Sequence, residues 1–344
     1  MRYAAFLLIL VILGACKNQE PAPRAYNFSA AERMIVDSLW NYNKNIYVAV
    51  TKGSQTIFKV SFFNSGDDRY SLFSATKWLS AATVMTLVDE RKVSLDDTVG
   101  KFLPRFTQFG KGKITIRQLL SHTSGLSGFS RFETNASLTL AQAVDSIARV
   151  VPLRYTPGTT FNYGDVSMQV AGRVAEVVSG KSWNVLFREK ITTPCQMSNT
   201  YFVRTQNPNI ATGAVSTPND YLRFLQVLLN RGRYDQVQVL SEATLQLMEQ
   251  SASDNTTIVY TPYAFNPFTP IGRLEPLRYG QGLWRDVLDI RGNATEFSSP
   301  GVNGVHPWID RKNNLAGVIF TDATFAKTWT TSLKIREIVR KEVE

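Results

Sequence analysis

Residues 73–80 read FSATKWLS. Ser74 and Lys77 stand three residues apart, so on a helix they share one face. The segment continues to about Arg91 with Leu79, Ala82, Met85 and Val88 apolar at helical spacing, which predicts a largely buried helix. Ser-x-x-Lys is a short pattern, and a chain this long carries roughly one copy by accident. Its meaning depends on what lies on either side.

Upstream, Ser29 with Glu32 three residues on reads as a capping box opening an amphipathic helix through Met34, Ile35, Leu39 and Trp40. A β-hairpin follows, IYVAVT at 46–51 and TIFKVSFF at 56–63, joined by a turn at Lys52-Gly53-Ser54. Downstream, ITIRQLLSH, LTLAQAVDSIARVV, SMQVAGRVAEVVSG (closed by Gly180), STPNDYLRFLQVLLNRG and LSEATLQLMEQ each carry helix start or stop residues. Strand patterns return only in YGQGLWR, VHPWID and LAGVIFTD, the last two joined by the turn RKNN. A final amphipathic helix runs from about 329 to 343.

Strands at both ends with helices between predict an α/β (α+β) fold. In it, one antiparallel sheet flanked by helices is built from the two chain ends, and a large helical region is inserted. The boundaries expected are 27–94 plus 276–344 for the α/β region and 95–275 for the helical region. The stretch NTTIVYTPYAFNPFTPIGRLEPLRYG at 255–280 is rich in aromatics and prolines and reads as a substrate-facing loop.

Composition is that of a globular protein, 44% hydrophobic and 19% charged over 344 residues. The net charge of +10 comes from scattered Lys and Arg. With no zinc-finger, RNP or helix-turn-helix signature this speaks against nucleic acid and fits work beside an anionic membrane surface or cell wall. Residues 1–16, MRYAAFLLILVILGAC, form a short positive start, an apolar stretch and a small-residue site, which is a targeting segment rather than a membrane span. Leu13-Gly14-Ala15-Cys16 resembles the bacterial lipobox, implying acylation of Cys16 and a lipid anchor in the bacterial cell envelope, periplasmic or surface-exposed. Residues 17–26 then form an extended tether. The other cysteine is Cys195, so a chain lipidated at Cys16 has no internal disulfide.

Two further elements share the order of Ser74 and Lys77. Tyr163-Gly164-Asp165 sits between a turn and a helix, where reactive side chains are commonly presented. FSSPGVNG, residues 297–304, is a glycine-bearing turn into a late strand, where a backbone N–H can pair with the one at a helix start to hold an oxyanion. A serine hydroxyl is a poor nucleophile unless a neighbour helps remove its proton, and Lys77 is placed to do so.

This order of Ser-x-x-Lys, Tyr-x-Asp and a glycine-containing strand motif resembles the serine β-lactamase and penicillin-binding-protein superfamily. Within it, LVDERKVSLDDTVGKFLP, ITIRQLLSHTSGL and YTPGTTFNYGDVSMQVAGRVAEVVSG are typical of the branch holding class C β-lactamases, D-amino-acid peptidases and family VIII carboxylesterases. The resemblance implies a serine hydrolase working through an acyl-enzyme. Ser74 would be the nucleophile, Lys77 its activating partner and Tyr163 the general base and later acid. The backbone N–H groups of Ser74 and Val302 would form the oxyanion hole, and Ser299 and Gly301 the substrate-binding edge.

Two positions depart from the pattern. Ser299-Pro300-Gly301 stands where relatives carry Lys-Thr-Gly or His-x-Gly, removing a cation that helps hold the substrate carboxylate. Weak or no β-lactamase activity is expected, with a tilt to neutral esters, amides or peptides. Asp165 replaces the more usual asparagine, and an ionised carboxylate there favours a charged Lys77. The alternatives are a D-alanyl carboxypeptidase or D-amino-acid peptidase acting on cell-wall peptides, and a binding lipoprotein that has lost turnover.

No cofactor and no metal are expected, because His122 and His306 lie far apart without nearby Cys or acidic clusters. His122 reads as a hydrogen-bonded structural residue, His306 as unassigned, and Trp78, Trp284 and Trp308 as core. A monomer acting on a small molecule or peptide is the expected form.

Overall fold

The computed structural model describes residues 25–262 and 278–344. Cys16 and its lipobox, nearly all of the 17–26 tether and the centre of the 255–280 stretch lie outside the described residues.

The hairpin forms as read, with β1 at Ile46–Lys52 and β2 at Gln55–Phe62. The late strands are β3 Trp284–Leu288, β4 Ala294–Ser298, β5 His306–Asp310 and β6 Leu315–Thr321. They make one antiparallel sheet in the order β3-β4-β5-β6-β1-β2. The two chain ends meet at its centre, where β1 pairs with β6 from Ile46 opposite Thr321 to Lys52 opposite Leu315. Both central strands are covered on both faces, which is why they read as near-continuous apolar runs rather than alternation.

The longer helices are α1 Ser29–Asp37, α2 Thr76–Asp89, α3 Leu140–Val150, α4 Val166–Ser179, α5 Pro218–Leu229, α6 Glu242–Glu249 and α7 Phe325–Val343. On one face of the sheet α1 and α7 bury Ile35, Ile335 and Val339 against Ile46, Val48, Trp308 and Ile319. On the other, Tyr47, Ala49, Val318 and Phe320 join a single large core with the residues of α2 to α6. Helix α2 lies at the middle of that core and is buried all round from Thr76 to Leu87, so it carries no polar face.

The start of α1 differs from its expected capping box. Ser29 is already helical, the residue at the cap position is Phe28, and no side-chain cap forms there. Asn27 Oδ1 instead accepts the Ser29 N–H at 3.1 Å. An Asx-type turn two residues ahead of the helix satisfies the orphan donor, so the Ser29–Glu32 pair is not needed. Strand β4 was not read from the sequence, and neither were short pairs such as Tyr70–Ser71 with Ala214–Ser216. Two to five residues are too few to establish a period.

Candidate active site

Ser74 sits in a single 3-10 turn, Phe73–Ala75, that feeds directly into α2. The turn is fastened from the α5 side. Leu72 N–H donates to Ala214 O at 2.9 Å, Ala214 N–H donates to Thr76 Oγ1 at 3.2 Å, and the Tyr221 hydroxyl donates to Ala75 O at 2.8 Å. Phe73 is held at φ 45, a left-handed conformation that a bulky side chain adopts only when its surroundings impose it. Strain of this kind, on the order of 1–3 kcal/mol, collects where a neighbouring group must be aimed. Here that neighbour is Ser74.

Lys77 is wholly buried. Its Nζ lies 3.4 Å from Ser74 Oγ, 3.1 Å from Asp165 Oδ1 and 3.5 Å from the Ala211 carbonyl, and 4.7 Å from the centre of the Tyr163 ring. Burial works against the ammonium, but the Asp165 charge and the interactions with Tyr163 outweigh it and hold Lys77 above its ordinary value. Lys77 is therefore a cation at rest, as the Asp165 substitution leads one to expect. Asp165 occupies the cap position of α4, yet its carboxylate makes no capping bond and turns to Lys77 and Asn209 instead.

The Tyr163 loop is held by backbone bonds. Gly128 O accepts the N–H groups of Asp165 (2.7 Å) and Val166 (3.0 Å), Asn162 N–H donates to His122 O (2.9 Å), and Tyr163 N–H donates to Tyr260 O (3.0 Å). Gly164 is required there, since a methyl group on it would overlap the Gly128 carbonyl. The Tyr163 ring is clamped by Trp284, stacked at 5.4 Å, and by His122 at 4.6 Å.

The Ser299–Val302 turn runs alongside the Phe73–Ala75 turn. Ser299 is buried and its hydroxyl donates to Ser74 O at 3.3 Å, while Asn303 Nδ2 donates to Ser71 O at 2.6 Å. Gly301 packs so closely on Leu72 O that a side chain would collide with it. Among the described residues, neither the Ser74 nor the Val302 N–H donates to a protein acceptor, so both are available to a substrate oxygen. A cavity of about 490 Å³, whose lining includes Asp68, Arg69, Tyr70, Phe73, Asn303 and Asp322, opens beside this edge.

Ser74, Lys77, Tyr163 and Asp165 are thus brought together, with Ser299 and Gly301 lying along Ser74. His306 is not with them. It is buried on the interior strand β5, 3.1 Å from Arg336 of α7. His122 is buried, but among the described residues neither ring nitrogen has a protein partner, so the expected hydrogen-bonded histidine is corrected to one held by packing. Burial and the Lys77 charge push its imidazole well below the usual histidine range, leaving a neutral ring against Tyr163. Trp78, Trp308 and Trp284 all pack in the core as read, Trp284 in a small cluster with Phe161, Tyr279 and Phe325 where it also stacks on Tyr163. Burial pushes the Cys195 thiol up to about 12, which makes it inert. Among the described residues no group of three or more His, Cys, Asp or Glu forms a metal site.

The sequence reading missed Asn209, whose side chain reaches Asp165 at 3.4 Å and also accepts the N–H groups of Ala211 and Thr212. It also missed the Ala211 carbonyl on Lys77. A backbone acceptor leaves no trace in a side-chain pattern, and Asn209 in NPNIATG reads as any turn asparagine.

A family model described as Beta-lactamase matches residues 41–330. The crystal structure of a candidate beta-lactamase of Bacteroides dorei superposes with a TM-score of 0.81 at 30% identity, covering 92% of this chain and 99% of that one. Penicillin-binding protein 4 of Amycolatopsis lactamdurans is 35% identical over 138 residues, which are 39% of this chain and 34% of that protein's length. Esterase/beta-lactamase LipL of Mycobacterium tuberculosis is 28% identical over 130 residues, 38% of this chain and 30% of that protein. The match to these two relatives therefore spans about a third of their length.

Proposed function

The chain belongs to the beta-lactamase family of serine hydrolases, and from that premise we propose that it cleaves ester or amide bonds of substrates with no carboxylate beside the scissile bond, through an acyl-enzyme on Ser74. One observation carries this reading: a fully buried ammonium, Lys77, touches Ser74 Oγ, Asp165 and the Tyr163 ring at once.

Lys77 arrives charged and is not free to act as a base, so its field lowers the cost of negative charge developing on Ser74 Oγ. Tyr163, acting as a phenolate, takes the Ser74 proton and becomes the phenol as Oγ attacks the carbonyl carbon. The tetrahedral oxyanion is held by the Ser74 and Val302 N–H groups. Collapse expels the alcohol or amine, which receives the proton from Tyr163. Water, activated by the same tyrosine, then releases the acid and restores Ser74.

Substrate preference follows from Ser299. Its hydroxyl is spent on the Ser74 carbonyl, so this position supplies no cation to a β-lactam carboxylate, and β-lactam turnover should be weak. The esterase activity in the name of the Mycobacterium tuberculosis relative agrees with the ester arm of this reading. We further take the chain to work at the cell envelope, tethered by an acylated Cys16.

The deciding experiment compares wild type with Ser74→Ala on a fluorophosphonate probe and on a panel of short-chain aryl ester, amide, D-Ala-D-Ala peptide and nitrocefin. Wild type should label and should hydrolyse the ester fastest. Ser74→Ala, folded, should neither label nor turn over. Retained labelling would sink the assignment, and D-Ala-D-Ala peptide cleaved ahead of the ester would replace it with the carboxypeptidase reading.

A further inference from the structure

Behind the cleft lies a group of charges for which the chemistry above has no use. Asp286 is the extra residue of a β-bulge: Arg285 pairs with Phe297 and Val287 with Glu296, so β3 carries one unmatched residue between them. A bulge takes one side chain out of its strand's alternation, and bulges recur beside active sites for that reason. This one turns a carboxylate into the interior, with no exposed surface.

Asp286 Oδ1 accepts from Ser298 Oγ at 3.0 Å and Oδ2 from Arg336 Nη2 at 3.0 Å. The charged and titratable groups around it come from every neighbouring element: Glu296 on β4, His306 on β5, and Arg336 and Arg340 on α7. Arg336 also donates to Glu296 Oε2 at 2.8 Å and lies 3.1 Å from His306 Nε2, and Arg340 pairs with Glu296.

What matters is where the two ends of this network lead. Ser298 is the last residue of β4, and the next residue, Ser299, donates to the carbonyl of Ser74. Two residues back along β3, Trp284 stacks on Tyr163. A single buried carboxylate is thus fastened to both walls of the cleft.

We propose that Asp286 is a positioning residue for hydrolysis: through Ser298 it sets the Ser299–Val302 turn that carries the second oxyanion donor, and through the bulge it sets Trp284 against Tyr163. The proposal rests on the reading of Ser74 as nucleophile given above. A buried ion cluster is weak evidence for stability, since well-packed apolar groups commonly serve that end as well or better. Placement is the service an apolar residue cannot render, because it offers the Ser298 hydroxyl no acceptor, whereas an ionised carboxylate holds that hydroxyl more strongly than a neutral one would. Burial raises the Asp286 carboxyl up to about 7 in spite of Arg336. Its charge, and with it the strength of the Ser298 bond, therefore changes near neutral pH.

The test is the pH profile of kcat on a short-chain aryl ester for wild type, Ser298→Ala, Ser298→Thr and Asp286→Asn, each checked for folding by circular dichroism. Ser298→Ala leaves the ion pairs in place and removes only the link. It should lower kcat roughly ten- to hundredfold, as small misplacements of reacting groups do, with KM within about twofold, and should lose the acid limb near pH 7 that wild type shows. Ser298→Thr should restore both. Asp286→Asn, where it folds, should lose the same limb. A folded Ser298→Ala with wild-type kcat and an unchanged acid limb overturns the proposal. Fluorophosphonate labelling of Ser74 should persist in every variant, so a failed assignment of Ser74 is distinguishable from a failed role for Asp286.

Discussion

At the scale of single residues the site turns on the charge of Lys77. Four contacts converge on its nitrogen, and the one bearing full opposite charge is Asp165 at 3.1 Å. Asp165→Asn keeps an acceptor oxygen in the same place but removes the charge that offsets burial. The ammonium should then be lost more readily, and the alkaline limb of the kcat/KM profile should move to lower pH. An unmoved limb in a folded Asp165→Asn would show that Lys77 is not held by Asp165. Asp165→Ala leaves the buried cation unpaired, which costs about 3–5 kcal/mol and is measurable by urea unfolding at neutral pH. The sign of the linkage is fixed as well. Lys77 is raised above its unfolded value, so its contribution is complete below the ordinary lysine range and is lost as pH climbs through the raised value. The difference between wild type and Asp165→Ala should therefore shrink in strong alkali. That Ser74 and Lys77 would stand together was legible from their i, i+3 spacing, and Tyr163 from its place in a short motif between a turn and a helix. Asn209 and Asp286 were not, since each acts across a fold contact from an element whose own sequence gives no sign of it.

At the scale of elements, what decides the site is how closely the backbone of one loop approaches another. Gly164 and Gly180 make the contrast. Gly180 ends α4 at φ 69 with open space where a methyl would go, so Gly180→Ala bears only the left-handed backbone cost, on the order of 1–2 kcal/mol. Its ester hydrolysis should match wild type. Gly164→Ala forces a methyl into the Gly128 carbonyl that anchors the start of α4. Overpacking of this kind costs roughly 1–3 kcal/mol, but the displacement also carries Tyr163 and Asp165 away from Lys77. Activity should fall much further than stability, and equal losses in the two glycine variants would refute this account of the loop. Gly180 could be read from the sequence because a helix stop is a local matter between a glycine and the turn before it. The demand on Gly164 could not, because Gly128 lies in a separate loop 36 residues earlier. Strand β4 escaped notice for a related reason. Its five residues, ATEFS, hold Glu296 inward on Arg336, and a buried glutamate breaks the alternation by which a strand is recognised.

At the scale of the whole molecule, the periodicity of the sequence separated strands at the chain ends from helices between them, and the sheet is indeed closed by β1 against β6. Periodicity reports that a face is buried, not what it is buried against. The large core runs without a break from the sheet, through Tyr47, Ala49, Val318 and Phe320, to α5 and α2. Phe320 shows the coupling in one side chain: it stands on β6, with its ring 5.6 Å from Tyr70 and 6.2 Å from Tyr221 of α5. Tyr221 in turn donates its hydroxyl to the Ala75 carbonyl in the turn that carries Ser74. Phe320→Ala should cost about 3–5 kcal/mol, as large-to-small changes of buried aromatics do. Because that loss falls on a core shared by sheet and helices, it should lower hydrogen-exchange protection in β6 and in α3 to α6 by similar amounts. Leu225→Ala, made from the helical side of the same core, should reduce protection in β1 and β6 as well as in α5. If Phe320→Ala opened the sheet and left α3 to α6 fully protected, the inserted helices would be a unit that folds alone. The turn that carries Ser74 would then be held by α5 without help from the sheet. The Phe320–Tyr221–Ala75 contacts argue for the opposite, that the turn presenting Ser74 is only as firm as the core joining sheet and helices.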